Sequence, residues 1–176
     1  MDRVELLSPA GDIERLKIAL LYGADAVYIG GQEYSLRANA NNFSIEEIKE
    51  ACNFAHNLGK KVYLTLNIVF HNEDMEGVEE YIKQVVDCGI DAFIVSDPFI
   101  ISHIKSNYPN VEVHLSTQNS TSNYKAVEYF KNDELNLGQL LMGYKLFLND
   151  TKYLSEHLED FAYTSREVGY KGKVEF

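Results

Sequence analysis

Five short apolar runs in this chain end in small or polar residues: Ser8-Pro9-Ala10-Gly11, Gly30-Gly31, Asn67, Ser96-Asp97-Pro98 and Ser116-Thr117-Gln118. Such residues let backbone approach a ligand closely, and N–H groups at the start of a following helix can hold an anion. Ser8, Gly11, Gly30 and Gly31 read equally as ligand contacts or as plain turn residues. Arg37 is the fixed cation of a long stretch from Gly31 to Phe43 that also holds Tyr34, Asn39, Asn41 and Asn42. It could clamp a carboxylate or phosphate bidentately, or tie its loop to a neighbouring acid. His71, followed by Glu73 and Asp74, could be an acid–base group or a metal ligand, although acids there are also favoured by a helix dipole. Asp97 before Pro98 is a second catalytic candidate, though its stronger reading is an N-cap ahead of a first-turn proline. His114 lies within an apolar run and reads as a hydrogen-bonded core histidine. The expected site is thus a small anion held by Ser8, Gly30, Arg37, Asn67 and Gln118, with His71 and Asp97 as the catalytic candidates. No nucleophile triad or metal constellation can be assembled on spacing, and no metal is expected.

These residues need a scaffold that brings them to one rim. Apolar runs at Val4 to Leu7, Ala26 to Ile29, Val62 to Leu66, Ala92 to Val95 and Val111 to Leu115 have the length of buried parallel strands and lack strict alternation. Between them, Ile13, Leu16, Ala19 and Leu20 share a helical face, as do Ile45, Ile48, Cys52 and Ala55, and then Met75, Val78, Tyr81, Ile82, Val85 and Val86. Ser44 with Glu47 predicts a capping box, and Gly23, Gly59 and Gly89 stand where helices should stop. Gly23-Ala24-Asp25-Ala26-Val27 is echoed by Gly89-Ile90-Asp91-Ala92-Phe93, a repeated junction closing a helix and opening a strand. Five such units, the last ending in a helix near Asn123 to Lys131, are too few for a closed eight-fold barrel, which typically takes about 250 residues. No Gly-x-Gly-x-x-Gly follows the first strand, against a dinucleotide-binding sheet. The fold class is therefore α/β, an incomplete TIM-type (β/α) barrel of about five parallel units over residues 1–135. A helical extension follows over residues 136–176, with helices expected at Gln139 to Leu148 and Thr151 to Ala162.

The composition narrows the function. Of 176 residues, 16 are Lys or Arg and 27 are Asp or Glu, a net charge of −11. Nucleic-acid binders carry a basic stripe, and the nearest approach here is Lys60-Lys61, so the chain by itself does not read as a grip on phosphate backbones. Cys52 and Cys88 stand far apart on or beside apolar helix faces, which predicts buried thiols without metal rather than a disulfide or a zinc site. The first residues have no apolar signal core and no apolar run approaches a membrane span, so a cytoplasmic protein without a membrane partner is expected.

Several strings, taken together and in order, resemble the collagenase-like peptidase family of unassigned catalytic type, which includes RNA hydroxylation proteins. They are Glu5-Leu6-Leu7-Ser8-Pro9-Ala10-Gly11, Tyr22-Gly23-Ala24-Asp25-Ala26-Val27-Tyr28-Ile29-Gly30-Gly31, Ser35-Leu36-Arg37-Ala38, Thr65-Leu66-Asn67, Val95-Ser96-Asp97-Pro98 and His114-Leu115-Ser116-Thr117-Gln118. The resemblance implies a barrel-like domain, a historical peptidase assignment, and in related proteins prephenate-dependent 5-hydroxylation of RNA bases. It covers Val4 to about Lys131. The segment Gly143 to Phe176 is similar to a stretch that relatives carry beyond a cysteine-rich signature. Cys52 and Cys88 do not match that signature, so the iron–sulfur ligands of relatives have no counterparts here and no cofactor is expected.

Three functions follow as expectations. The first is a truncated member of the family whose ancestral role is tRNA or rRNA base hydroxylation with a small carboxylate co-substrate, RNA being a partner by resemblance alone. The second is a collagenase-like peptidase. The third is a non-catalytic fragment acting through a protein partner, with a homo-oligomer formed through an open sheet edge.

Overall fold

The computed structural model describes residues 5–35, 42–121, 123, 125 and 139–140. Strand β1 (Leu7–Pro9) leads to α1 (Ile13–Leu21), β2 (Ala26–Gly30), α2 (Ile45–Asn57) and β3 (Lys61–Leu66). After a 3-10 turn at Asn72–Met75 come α3 (Val78–Asp87), β4 (Ala92–Val95), α4 (Pro98–Asn107) and β5 (Glu112–Leu115). A second 3-10 turn, Thr117–Asn119, precedes β6 (Gln139–Leu140). The strands lie in the order β1-β2-β3-β4-β5-β6, each parallel to the next. This sequential parallel order is the beginning of a barrel and excludes a doubly wound sheet, whose order reverses at its centre.

Local signals act as expected. Ser44 Oγ accepts the Glu47 N–H and the Glu47 carboxylate accepts the Ser44 N–H, closing the capping box of α2. Gly23 and Gly89 adopt φ of +112° and +94° just past α1 and α3, a conformation that a Cβ would strain. Strand β1 begins later than expected. Leu6 is held by Asp25 instead: its N–H donates to Asp25 Oδ2 at 2.9 Å and its carbonyl accepts from Asp25 and Ala26.

Alternation divides the sheet between two faces. Val27, Ile29, Val62, Leu64, Leu66, Phe93, Val95, Val113 and Leu115 pack against Leu16, Leu20, Ile48, Ala51, Ile82, Val85, Ile100 and Ile104, so the four helices among the described residues cover one face. Fully burying a Leu, Ile, Val or Phe side chain contributes about 1.5–3 kcal/mol, so this layer is the main source of stability. The opposite face is the barrel interior, where Ala26, Tyr63, Ala92 and Ile94 are buried with Leu7 and Tyr28 against them.

Two expectations change. Gln139 and Leu140 extend the sheet as a sixth strand, His114 pairing with Gln139 and Leu115 with Leu140, where the sequence pattern opens a helix. The edge of β5 offers backbone groups that a strand satisfies and a helix does not. The rest of the expected C-terminal helices lies outside the described residues, as does most of the helix expected from Asn123 to Lys131. Cys88 is half-buried rather than buried, its Sγ donating to the Ile45 carbonyl at 3.5 Å, whereas Cys52 is buried. No helix among the described residues is long and apolar enough to cross a membrane.

Candidate functional site at the strand ends

Parallel pairing sets the rim. Gly30 is level with Thr65, Thr65 with Ile94, and Ile94 with His114, and one step further along the same face stand Asn67, Ser96 and Ser116. Thr65 Oγ1 donates to the Ile29 carbonyl at 3.1 Å and lies 2.9 Å from Ser35 Oγ. Asn67, just past the end of β3, reaches across the end of β4, its Nδ2 donating to Ser116 Oγ beyond β5 at 3.5 Å. Ser116 Oγ also accepts the Gln118 N–H at 3.3 Å, and Asn119 Nδ2 donates to the Ser96 carbonyl at 3.2 Å. The result is a rim of hydroxyls and carboxamides over the barrel interior.

His114 lies beneath it, fully buried on the interior face of β5. Its Nε2 is 3.2 Å from Glu112 Oε2, and its ring meets Tyr63 edge-on with centroids 4.6 Å apart. Because a carboxylate only accepts, Nε2 carries the proton in this bond. The His114 hydrogen bond, with Lys61 Nζ 3.6 Å from Glu112 Oε1, holds the Glu112 carboxyl below its ordinary value despite some desolvation. Tyr63 donates from its hydroxyl to Glu5 at 2.8 Å; burial, and then Glu5, raises its pKa.

Beyond β2 the chain meets an aromatic anchor at Tyr34. Tyr34 sits at φ +56°, a left-handed conformation that costs a non-glycine residue about 1–3 kcal/mol when its surroundings enforce it. Those surroundings are here: its ring stacks on Phe70 at 5.7 Å and meets Tyr81 at 5.3 Å, its hydroxyl donates to the Glu76 carbonyl and its own carbonyl accepts the Asn67 N–H. Burial raises the Tyr34 pKa, helped by Glu33 and Asp74.

The expected site residues divide. Gly30 and Asn67 stand on the interior rim. Ser8 is inside β1, level with Val27 and on the helix side of the sheet, so a one-residue parity places it away from the rim. Of the N–H groups expected after it, Pro9 has none and that of Ala10 donates to the Tyr28 carbonyl at 3.0 Å. Asp97 is the N-cap of α4, its Oδ1 accepting from Phe99 at 2.8 Å and Ile100 at 3.1 Å, so the capping alternative holds. His71 is exposed at the start of the 3-10 turn, where its N–H donates to Asp74 Oδ2 at 2.8 Å. Gln118 is exposed and meets the rim through its backbone. Arg37 lies outside the described residues. Spacing does not single out Thr65 and gives Ser116 only as part of a strand-end string, although alternation along β3 and β5 puts both, with His114, on the face of Tyr63.

The model of peptidase family U32 matches residues 11–163. The chain belongs to peptidase family U32. Among curated relatives of this U32 chain, tRNA hydroxylation protein P1 of Bacillus subtilis is 47% identical over 173 residues, covering 96% of this chain and 40% of that protein. The tRNA hydroxylation protein P of Escherichia coli is 34% identical, with 98% and 39% covered. A 23S rRNA 5-hydroxycytidine synthase of the same organism is 33% identical, with 97% and 26% covered. The U32 chain thus spans about 40% of the length of the hydroxylation proteins it matches first. Among solved structures, a U32 peptidase superposes with a TM-score of 0.70 at 10% identity, covering 98% of this chain and 81% of that one. A phosphonopyruvate hydrolase gives 0.57 at 14% identity, with 97% and 65% covered. Both likenesses concern the fold.

An iron–sulfur cluster, implied by the family resemblance, does not fit this U32 chain. It has two cysteines, Cys52 on a helix face and Cys88 at a helix C-cap, and the described residues hold no group of three or more ligating side chains.

Proposed function

We propose that this chain supplies the substrate-facing (β/α) segment of an RNA base hydroxylation protein, with a small carboxylate co-substrate held over the strand ends by Arg37. The observation that carries the reading is 47% identity sustained over 96% of the chain with a tRNA hydroxylation protein. The hydroxyl and carboxamide rim supports it, since such groups orient a small polar ligand. A reducing cytoplasmic setting suits two free thiols. Replacing Arg37 by Ala should weaken carboxylate binding by about 1.5–3 kcal/mol, the scale of a hydrogen bond to a charged group.

The test exchanges this chain for the matching segment of the Bacillus subtilis protein in cells lacking tRNA hydroxylation. Digested tRNA is then analysed by mass spectrometry for nucleosides that gain one oxygen. Restored hydroxylation supports the reading; a folded, abundant chimera that restores none overturns it.

Peptide hydrolysis is the second reading, favoured by the family's name and by 38% identity over 90% of the chain with an uncharacterized protease of Methanocaldococcus jannaschii. Cleavage of a peptide panel by the purified chain, lost on replacing rim residues, would support it. A homo-oligomer remains a third proposal, since β1 pairs among the described residues with β2 alone. A concentration-dependent mass is its measure.

A further inference from the structure

Two acceptors over the barrel interior have nothing to accept. Asn67 Oδ1 and His114 Nδ1 are both buried and without a hydrogen-bond partner among the described residues. Their neighbours are engaged: Thr65 with Ile29 and Ser35, Ser116 with Asn67 and Gln118, and Asn119 with Ser96. The two acceptors are also close in the fold. Ser116 follows His114 by two residues, just past the end of β5, hence on the same face and roughly 7 Å along it. Asn67 Nδ2 in turn touches Ser116 at 3.5 Å.

Their chemistry has one sign. With the Nε2 proton directed at Glu112, the tautomer of His114 that makes this bond offers a lone pair at Nδ1. With Asn67 Nδ2 committed to Ser116, Oδ1 offers lone pairs too. An apolar ligand would leave both unmet, and an anion would present more lone pairs to them. A partner with N–H donors satisfies them, and buried polar groups left unmet are costly enough to be rare.

We infer that the mouth between the ends of β3 and β5 takes the amino or imide N–H edge of a nucleobase, with Asn67 Oδ1 and His114 Nδ1 as its acceptors. The choice of a nucleobase among N–H donors rests on the RNA hydroxylation reading.

The test is NMR titration of the purified full chain, following the His114 ring nitrogens. Probes are cytidine and uridine, their counterparts methylated at N4 (dimethyl) and N3, and malonate as a small dicarboxylate. At least one unmodified nucleoside should shift Nδ1 saturably, and its methylated counterpart should bind about tenfold or more weakly, the scale of one buried hydrogen bond left unmade. Asn67→Ala should weaken that nucleoside similarly. His114→Asn, which keeps a polar group near the Nδ1 position, should retain more binding than His114→Gln, which places one near Nε2; a purely structural histidine would show the reverse. Equal binding of the methylated pair, no shift with any nucleoside, or a response to malonate alone would overturn the inference. The methylated pair decides the matter on the unaltered chain even if a variant fails to fold. Base discrimination with an inactive chimera would sink the reaction and leave this site standing; an active chimera without discrimination would sink this site alone.

Discussion

Asp91 accepts the backbone N–H of Val62 at 2.8 Å through Oδ2, so the residue that precedes β4 holds the start of β3. The main chain doubles the link, Asp91 N–H donating to the Val62 carbonyl at 3.1 Å. Asp25 treats Leu6 the same way, at 2.9 Å from the side chain and 2.8 Å from the main chain. Each carboxylate also meets a cation or a histidine, Lys60 for Asp25 and His56 for Asp91, both at 3.0 Å. The repeated Gly-x-Asp-Ala junction is therefore a register clip between neighbouring strands. A charged acceptor bond of this kind contributes about 1.5–3 kcal/mol. Asp91→Ala should lower stability by that amount in urea denaturation and Asp91→Asn, which keeps an acceptor, by less. An unchanged midpoint for Asp91→Ala would count against the clip.

Gly31 and Tyr81 share one space. A Cβ built on Gly31 would land on the Tyr81 hydroxyl, which is buried and has no partner among the described residues. Gly31→Ala should cost about 1–3 kcal/mol through overpacking. Tyr81→Phe, removing an unpartnered hydroxyl, should be neutral or slightly stabilising, and should rescue much of the loss in the double variant. Additive effects in thermal melts of the four proteins would show that the two side chains do not meet.

Glu112 gives the acid limb of stability a definite sign. Its carboxyl is held below its ordinary 4.5, first by His114 and then by Lys61, so it binds fewer protons folded than unfolded in that range. Its contribution is present above about pH 4.5 and is lost as pH falls through the lower folded value. Partial exposure screens the Lys61 pair, so the effect is modest. Glu112→Gln should flatten the stability–pH curve below that point, which denaturation at stepped pH would reveal. A variant curve parallel to that of the parent chain would refute the assignment.

The two thiols should differ. Burial, with Asp91 and Cys88 nearby, pushes the Cys52 thiol up to about 12, while that of half-buried Cys88 is raised less severely, also chiefly by burial. Thiolate is the reactive form, so native labelling at neutral pH should modify Cys88 first and Cys52 only as the chain unfolds. Mass analysis of partly labelled peptides checks the order; fast reaction at Cys52 would contradict its burial.

Much of this architecture was legible in the chain because its causes are local. The length of an apolar run, the Ser44 and Glu47 pair, Pro98 after Asp97 and a glycine past a helix end all act within a few residues, and each lies where its chemistry placed it. The candidate rim was legible in part, because parallel β/α order sends strand ends to one side. Tertiary structure decided which of those residues share a face and which bonds they make. Pairing of Ser8 with Val27 turns Ser8 toward the helices, and a span of 49 residues brings Asn67 to Ser116. His114 looked like an ordinary core residue because neither Glu112 below it nor Tyr63 beside it reveals, in sequence, that one ring nitrogen stays unsatisfied. Register and long-range packing set these relationships, and they exist only once the strands are side by side.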